Sequence, residues 1–371
     1  MIYVFTIFLI IILDKALHPQ RISGSNQTGI IYDSNRKKYC ILISVWFIFL
    51  LTLRHAYVGS DTQNYYKIFS EIENYGYSIE LNEETWYNEF GYYGLIKFLV
   101  NIHLPFRALI FISASFYVGT ISLLIYRFSQ RPWISYFVFL TFGYFIFNTT
   151  MRQCFALSFC VLSFIALIDK RILLATVLSI IAITFHSTAI IFLPALFIPL
   201  LNYNTKSLLF VSLIGVLIFF FSATIFESAS EFLGRNYEEK RTSGYFSLLI
   251  YVIVTVYGYI YRRKLPSTSR YWFFLLIISI ILFPLANFNP ALFRMRLYFS
   301  VFIVVYLANL ATPKIRTYHL IYALFISYGL YSFFIGSSNA GIRVLPYAFY
   351  WEDYYLLNPD VIRLGLYPPD S

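Results

Sequence analysis

Apolar runs, each about one bilayer deep, dominate this chain, and short polar or basic segments separate them. A hydrocarbon core of about 30 Å takes roughly 20 helical residues, fewer where polar ends snorkel. The runs predict spans at 2–13, 39–53, 106–126, 133–148, 153–168, 172–185, 187–201, 207–223, 245–261, 271–286, 297–311 and 318–336. The expected fold class is an all-α polytopic integral membrane protein of about twelve transmembrane helices, a single transmembrane domain over 1–371. The stretch 172–201 holds His186, Pro194 and Pro199, and reads either as one span or as two short spans turning at His186.

Inside the polar segment 54–105 the period changes. Over about 62–75, Tyr65, Ile68, Phe69 and Ile72 share one helical face, with Asp61 placed to cap it. Over about 87–103, Tyr92, Leu95, Ile96 and Leu99 do the same, and Pro105 follows. Both helices are expected at the interface, either as plain anchors or as the roof of a cavity between the spans.

Composition agrees with this pattern. Of 371 residues, 59% are hydrophobic and 12% charged, with 40 Phe and 34 Tyr, and mean hydropathy is +0.67. A soluble domain is about a quarter charged, so a soluble enzyme and a disordered adaptor are both excluded. The net charge of +10 first suggests nucleic acid, until the basic residues are sorted. On the two-span reading of 172–201, one side holds 14–38, 127–131, 169–171, 202–206, 262–270 and 312–317. These segments carry 16 of the 28 Lys and Arg but 3 of the 18 acids. The positive-inside rule makes that side cytoplasmic. Both termini and the long polar segments 54–105, 224–244 and 337–371 then face outward. The basic excess is a topology signal, and no nucleic-acid partner is expected. Residues 1–13 lack a basic leader and meet Asp14 and Lys15, as a retained first span does. Cys40, Cys154 and Cys160 form neither a disulfide framework nor a zinc spacing.

Four outward arginines break the orientation bias: Arg54, Arg152, Arg294 and Arg296. A guanidinium stays charged and grips phosphate bidentately, which suits a diphosphate at the membrane surface. Snorkelling to headgroups or pairing with a loop acid is the alternative for each. Asp61 either caps a helix or orders a substrate hydroxyl. Glu89 is a surface acid beside Gly91 or part of the same site. His186 is a structural histidine or a group that binds phosphate or takes a proton. There is no glycine-rich phosphate loop, HExxH motif or nucleophile elbow, so neither metal nor cofactor is expected. The middles of the spans are almost free of ionisable residues, which argues against coupled transport.

These residues resemble the EpsG-like members of the Wzy-type polysaccharide polymerases over about 40–310. The matching elements begin with Leu53-Arg54 followed by Val58-Gly59-Ser60-Asp61-Thr62, Tyr65-Tyr66 and Phe69. Glu89-Phe90-Gly91-Tyr92 comes next, then Met151-Arg152-Gln153 with Ala156, and Phe185-His186-Ser187-Thr188-Ala189 with Pro194. Arg294-Met295-Arg296-Leu297-Tyr298-Phe299 closes the set. Ser60 stands where such proteins more usually carry Thr.

The resemblance implies an enzyme of the bacterial inner membrane with its active site facing the periplasm. It would move a growing glycan from undecaprenyl diphosphate to the sugar of another lipid-linked repeat unit. The implied roles are diphosphate gripping by Arg152, Arg294 and Arg296 with help from Arg54. Asp61 or His186 would orient or deprotonate the acceptor, and Glu89, Tyr65 and Tyr298 would contact substrate. Implied partners are undecaprenyl-diphosphate-linked oligosaccharide, membrane lipid, and a chain-length regulator and flippase of the same pathway. The competing classes are a flippase of the lipid-linked unit, a polyprenyl-phosphate-dependent glycosyltransferase and a polysaccharide O-acetyltransferase. Tyr350, Trp351, Tyr354 and Tyr355 in the last segment either stack on sugars or anchor at the interface.

Overall fold

The computed structural model describes residues 2–18, 33–76, 89–222, 224, 228, 245–284, 294–311, 315, 317–338, 344–345 and 347–352. The segment 224–244, apart from 224 and 228, and most of 337–371, including Tyr354 and Tyr355, lie outside the described residues. Among those described the protein is all-helical, with one isolated antiparallel bridge between Arg54 and Phe349.

The order is α1 (Ile2–Leu17), α2 (Ser34–Thr52), α3 (Thr62–Tyr75), α4 (Phe90–Asn101), α5 (Phe106–Phe128), α6 (Pro132–Val138), a π-helical turn (Phe139–Gly143) and α7 (Tyr144–Thr149). Then come α8 (Met151–Ile168), α9 (Ile172–Phe185), a 3₁₀ stretch (Ser187–Leu200), α10 (Thr205–Phe220), α11 (Tyr245–Ile260) and α12 (Ser269–Ile281). The last are α13 (Leu297–Ser300), α14 (Ile303–Leu310) and α15 (Tyr318–Ser338). By length and composition, α5 and α8 are each long and apolar enough to cross a membrane, and shorter apolar helices surround them.

The core is built on α8, which packs against α5, α9 and the 3₁₀ stretch. Its small residues Ala156, Ser158 and Cys160 are buried and let neighbouring backbones approach. By contrast α10 buries only Val211 and exposes Leu209, Phe210, Leu213, Leu217 and Phe220. Such an apolar outer face fits lipid as its surroundings.

Two expected spans and the undecided run 172–201 are not continuous α-helices. The run 133–148 is cut by the π turn, where Tyr117 of α5 donates to the Gly143 carbonyl (3.0 Å) and Thr141 to that of Phe137 (3.1 Å). The run 297–311 turns at Val301–Phe302 between α13 and α14. In 172–201 the helix ends at His186, whose backbone is extended, and Pro194 and Pro199 have no N–H to give the second half an α ladder. The two halves pack on each other and on α8, in keeping with a chain that turns at His186.

Hydrogen bonds gather the basic segments at one end of the bundle. Arg36 at the start of α2 caps the end of α5 through the carbonyls of Ile125 (2.8 Å), Tyr126 (2.8 Å) and Ser129 (2.6 Å). Arg127 and Asp169 pair bidentately at 2.8 and 2.6 Å, so α5 and α8 end together. Arg270 donates to Asn202 (2.7 Å), and Tyr261 pairs with Thr317 (3.0 Å). The starts of α3, α4 and α8 and the break at His186 lie at the other end.

A short strap, 347–352, lies against the end of α2 there. His55 N donates to the Ala348 carbonyl (2.8 Å), Tyr350 N to that of Leu53 (3.0 Å), and the Tyr347 hydroxyl to that of Leu50 (2.8 Å). The Arg107 guanidinium sits 3.7 Å from the Tyr350 ring.

Candidate active site

The amphipathic helices bring the first group of side chains together. Helix α3 buries Tyr65, Ile68, Phe69 and Ile72, and α4 buries Tyr92, Tyr93, Ile96 and Leu99, while Leu95 is half-buried. The two helices pack on each other, and α4 packs on α9. Gly91 permits that approach: a Cβ there would strike Thr184 Oγ1 and lie 3.0 Å from the Thr184 carbonyl. Glu89, one residue before α4, is thereby set against the end of α9 and the start of α8.

Glu89 is fully buried. Its Oε2 accepts from Arg152 Nη1 at 2.7 Å and its Oε1 lies 2.6 Å from His186 Nδ1. Ser187 Oγ is 3.5 Å from the same Oε1. A carboxylate paired with arginine only accepts, which makes Nδ1 the donor to Glu89. Arg152 Nη1 also donates to the Tyr93 hydroxyl (2.9 Å), and its guanidinium lies 5.7 and 6.0 Å from the Tyr65 and Tyr92 rings. Its Nε is buried with no partner among the described residues. Burial pushes the Tyr65 and Tyr92 phenols up, so both rings stay neutral beside the guanidinium.

The second group is held by the turn 58–61. Gly59 has φ +102°, and a Cβ there would strike the Asn148 carbonyl, so the turn can nest against the end of α7 only as glycine. Asp61 stands at the start of α3, but its side chain makes no capping bond, contrary to the capping expectation. It accepts from Ser60 (3.2 Å) and faces Arg294 at 3.9 Å instead. Gln153, the neighbour of Arg152, donates to the Arg294 carbonyl at 2.8 Å and ties the two groups together. Arg294 and Arg296 line a cavity of about 390 Å³ with Ser60, Thr149 and Thr150. Arg296 is buried, over the rings of Tyr251 (5.0 Å) and Phe283 (5.3 Å).

Two expected site residues face elsewhere. Arg54 is buried under the turn, donating to the carbonyls of Leu51 (2.5 Å) and Val58 (3.0 Å) and to Thr62 Oγ1 (3.1 Å). Its guanidinium organises the Ser60–Asp61 loop. Tyr298 is buried with its hydroxyl 3.1 Å from Thr188 Oγ1. Sequence reasoning gave no role to Tyr93, which follows the Glu89–Tyr92 motif, or to Gln153, which it quoted only as part of Met151-Arg152-Gln153. Among the described residues, no group of three His, Cys, Asp or Glu side chains is arranged to hold a metal.

Burial raises the Asp61 carboxyl above its ordinary 3.8, against the opposing pull of Arg294 and Ser60. The folded protein therefore takes up this proton before the unfolded chain does, and stability rises as pH falls through the native value toward 3.8. Asp61→Asn is expected to raise the thermal midpoint in detergent at neutral pH, with the gap to the parent closing as the solution is acidified. A gap that widens on acidification contradicts this account.

The EpsG family model matches residues 37–349, most of the chain. The chain belongs to the EpsG family. That family is of the Wzy polymerase-like kind, associated with membranes and with polysaccharide synthesis in general. The match takes in every residue of the two EpsG-protein clusters described above, and the strap as far as Phe349. No curated protein and no solved structure matches the chain.

Proposed function

We propose that this EpsG-family protein is a polysaccharide polymerase of the bacterial inner membrane. It transfers a glycan from undecaprenyl diphosphate to another lipid-linked repeat unit at the periplasmic face, within a twelve-span topology whose basic end is cytoplasmic. The observation that carries the reading is Glu89, fully buried and bonded to both Arg152 and His186, with Gln153 beside Arg152 bonded to the backbone of Arg294, which together with Arg296 lines a cavity.

In this reading the acceptor hydroxyl attacks the anomeric carbon of the donor sugar. A new carbon–oxygen bond forms there as the bond to the diphosphate oxygen breaks. His186 Nε2 takes the hydroxyl proton, and Glu89 stabilises the resulting imidazolium through Nδ1. The departing diphosphate needs charge stabilisation, which Arg294 and Arg296 supply in place before the reaction. Arg152 serves chiefly to neutralise and fix Glu89, with the rest of its guanidinium available to substrate. Asp61 orients the acceptor and restrains Arg294, and Tyr65 braces Arg152. A flippase delivering the units and a chain-length regulator are the expected pathway partners.

Deleting the gene tests the reading directly. The expected result is single repeat units at the outer surface with no length ladder, restored by the parent gene and not by Arg294→Ala at equal membrane level. An outer surface lacking even single units points to a flippase. An unchanged ladder that has lost only a branch sugar or acetyl groups points to the other rivals.

A further inference from the structure

Glu89, Arg152 and His186 belong to the start of α4, the start of α8 and the break after α9, and they brace one another. The two arginines that line the cavity have no such support from their own element. Arg294 and Arg296 precede α13, which has four residues and ends where the chain turns at Val301–Phe302. A helix so short does not hold its own direction, so its neighbours must set it. It packs on α8, α12 and the 3₁₀ stretch.

Two hydrogen bonds set that direction, one on each side of Arg296. Gln153 Nε2 donates to the Arg294 carbonyl at 2.8 Å, and the Tyr298 hydroxyl lies 3.1 Å from Thr188 Oγ1. Gln153, Thr188 and Tyr298 are all buried, where a bond left unmade costs more than at the surface. Each link starts beside a member of the Glu89 group. Gln153 follows Arg152 in the first turn of α8, and successive helical residues diverge by about 100°. Arg152 therefore reaches Glu89 while Gln153 reaches Arg294. Thr188 comes just after His186, past its extended backbone, and bonds to α13 while His186 bonds to Glu89. Neither link occupies a charged side chain.

We propose that Gln153 and the Thr188–Tyr298 pair are positioning residues that set the distance between His186 and the two arginines. In the transfer proposed above, the acceptor loses its proton at one end while the diphosphate departs at the other. Both ends must be in place together, and a misplacement of about 1 Å can cost about a hundredfold in rate. Binding of the diphosphate depends on the guanidiniums themselves and survives a small shift of α13. The inference rests on the polymerase reading and gives Tyr298 a place behind the arginines, away from substrate.

The test uses purified full-length protein in nanodiscs, supplied with lipid-linked repeat units extracted from a strain lacking the gene. Assays run well below the thermal midpoint of each variant, so that the molecules counted are folded. Tyr298→Phe, Thr188→Val and Gln153→Met each remove one hydrogen-bonding group and keep a similar volume. Each is expected to lower kcat about tenfold to a hundredfold and to leave KM within about twofold of the parent. The pair Thr188→Val/Tyr298→Phe is expected to lose no more than either single change, since all three remove the same bond. Thr188→Ser keeps the hydroxyl and is expected to restore the rate. Tyr298→Phe is the smallest change and carries the test if Gln153→Met is not monodisperse. Parental kcat in Tyr298→Phe, a KM that rises as kcat falls, additive losses in the pair, or no recovery in Thr188→Ser each overturns the proposal. Units extended by the parent and equally by the variants remove the positioning role and leave the polymerase reading standing. Units that the parent itself does not extend remove the polymerase reading, and this inference with it.

Discussion

Glu89→Gln is expected to abolish polymer formation, lowering the rate by about a hundredfold to ten-thousandfold, the range that a positioned general base contributes. The amide keeps the shape of the side chain and loses its charge. His186 then has no carboxylate to hold its Nδ1 proton or to stabilise the imidazolium, and Arg152 keeps a charge with no countercharge at 2.7 Å. Breaking a buried pair by removing one partner costs about 3–5 kcal/mol, so part of the loss will be stability. The double variant Glu89→Gln/Arg152→Met separates the two effects. It removes both charges and is expected to recover most of the thermal midpoint and none of the polymer. A Glu89→Gln protein that makes full-length polymer at the parental rate sinks the assignment of His186 as base.

Gly91→Val is expected to be nearly as damaging, although Gly91 carries no functional group. Its Cβ would enter the space of Thr184 Oγ1 and crowd the Thr184 carbonyl and the Phe185 ring, both at the end of α9. Helix α4 must then withdraw, and Glu89 at its start withdraws with it. A misplacement of about 1 Å at a catalytic group can cost about a hundredfold. The internal control is Gly94, one turn further along α4, where a Cβ meets nothing within 4 Å. Gly94→Ala is expected to leave the ladder unchanged and to stabilise the helix slightly, by up to about 1 kcal/mol. Comparable polymer from Gly91→Val and Gly94→Ala at equal membrane level shows that the α4–α9 contact does not set the site.

The parts of this protein legible in its sequence are those fixed by periodicity and by backbone exceptions. The buried face of α3 is written in Tyr65, Ile68, Phe69 and Ile72, spaced as a helix requires. The break at His186 is legible because two prolines follow it and because the charged loops sort by side only on the reading with a turn there. The π turn was hidden, since Phe139–Gly143 is as apolar as its flanks and depends on Tyr117, a residue from another helix. Side-chain direction was the other blind spot. Arg54 looks like Arg294 in sequence, but only the fold reveals three acceptors waiting inward of it. Glu89 looks like any loop acid until α4 and α9 close on it, so its part as the link between Arg152 and His186 emerges only from tertiary contacts.

The strap has a consequence for the timing of synthesis. Tyr347 reaches back to the Leu50 carbonyl, 297 residues earlier in the chain, and its neighbours pair with Leu53 and His55 beside Arg54. Helices α2 and α3 leave the ribosome early, yet the loop between them acquires these partners only once residues 347–350 have been made. A membrane insertion machine releasing helices in order thus hands over the α2–α3 loop unfastened, and the strap fastens it when it emerges.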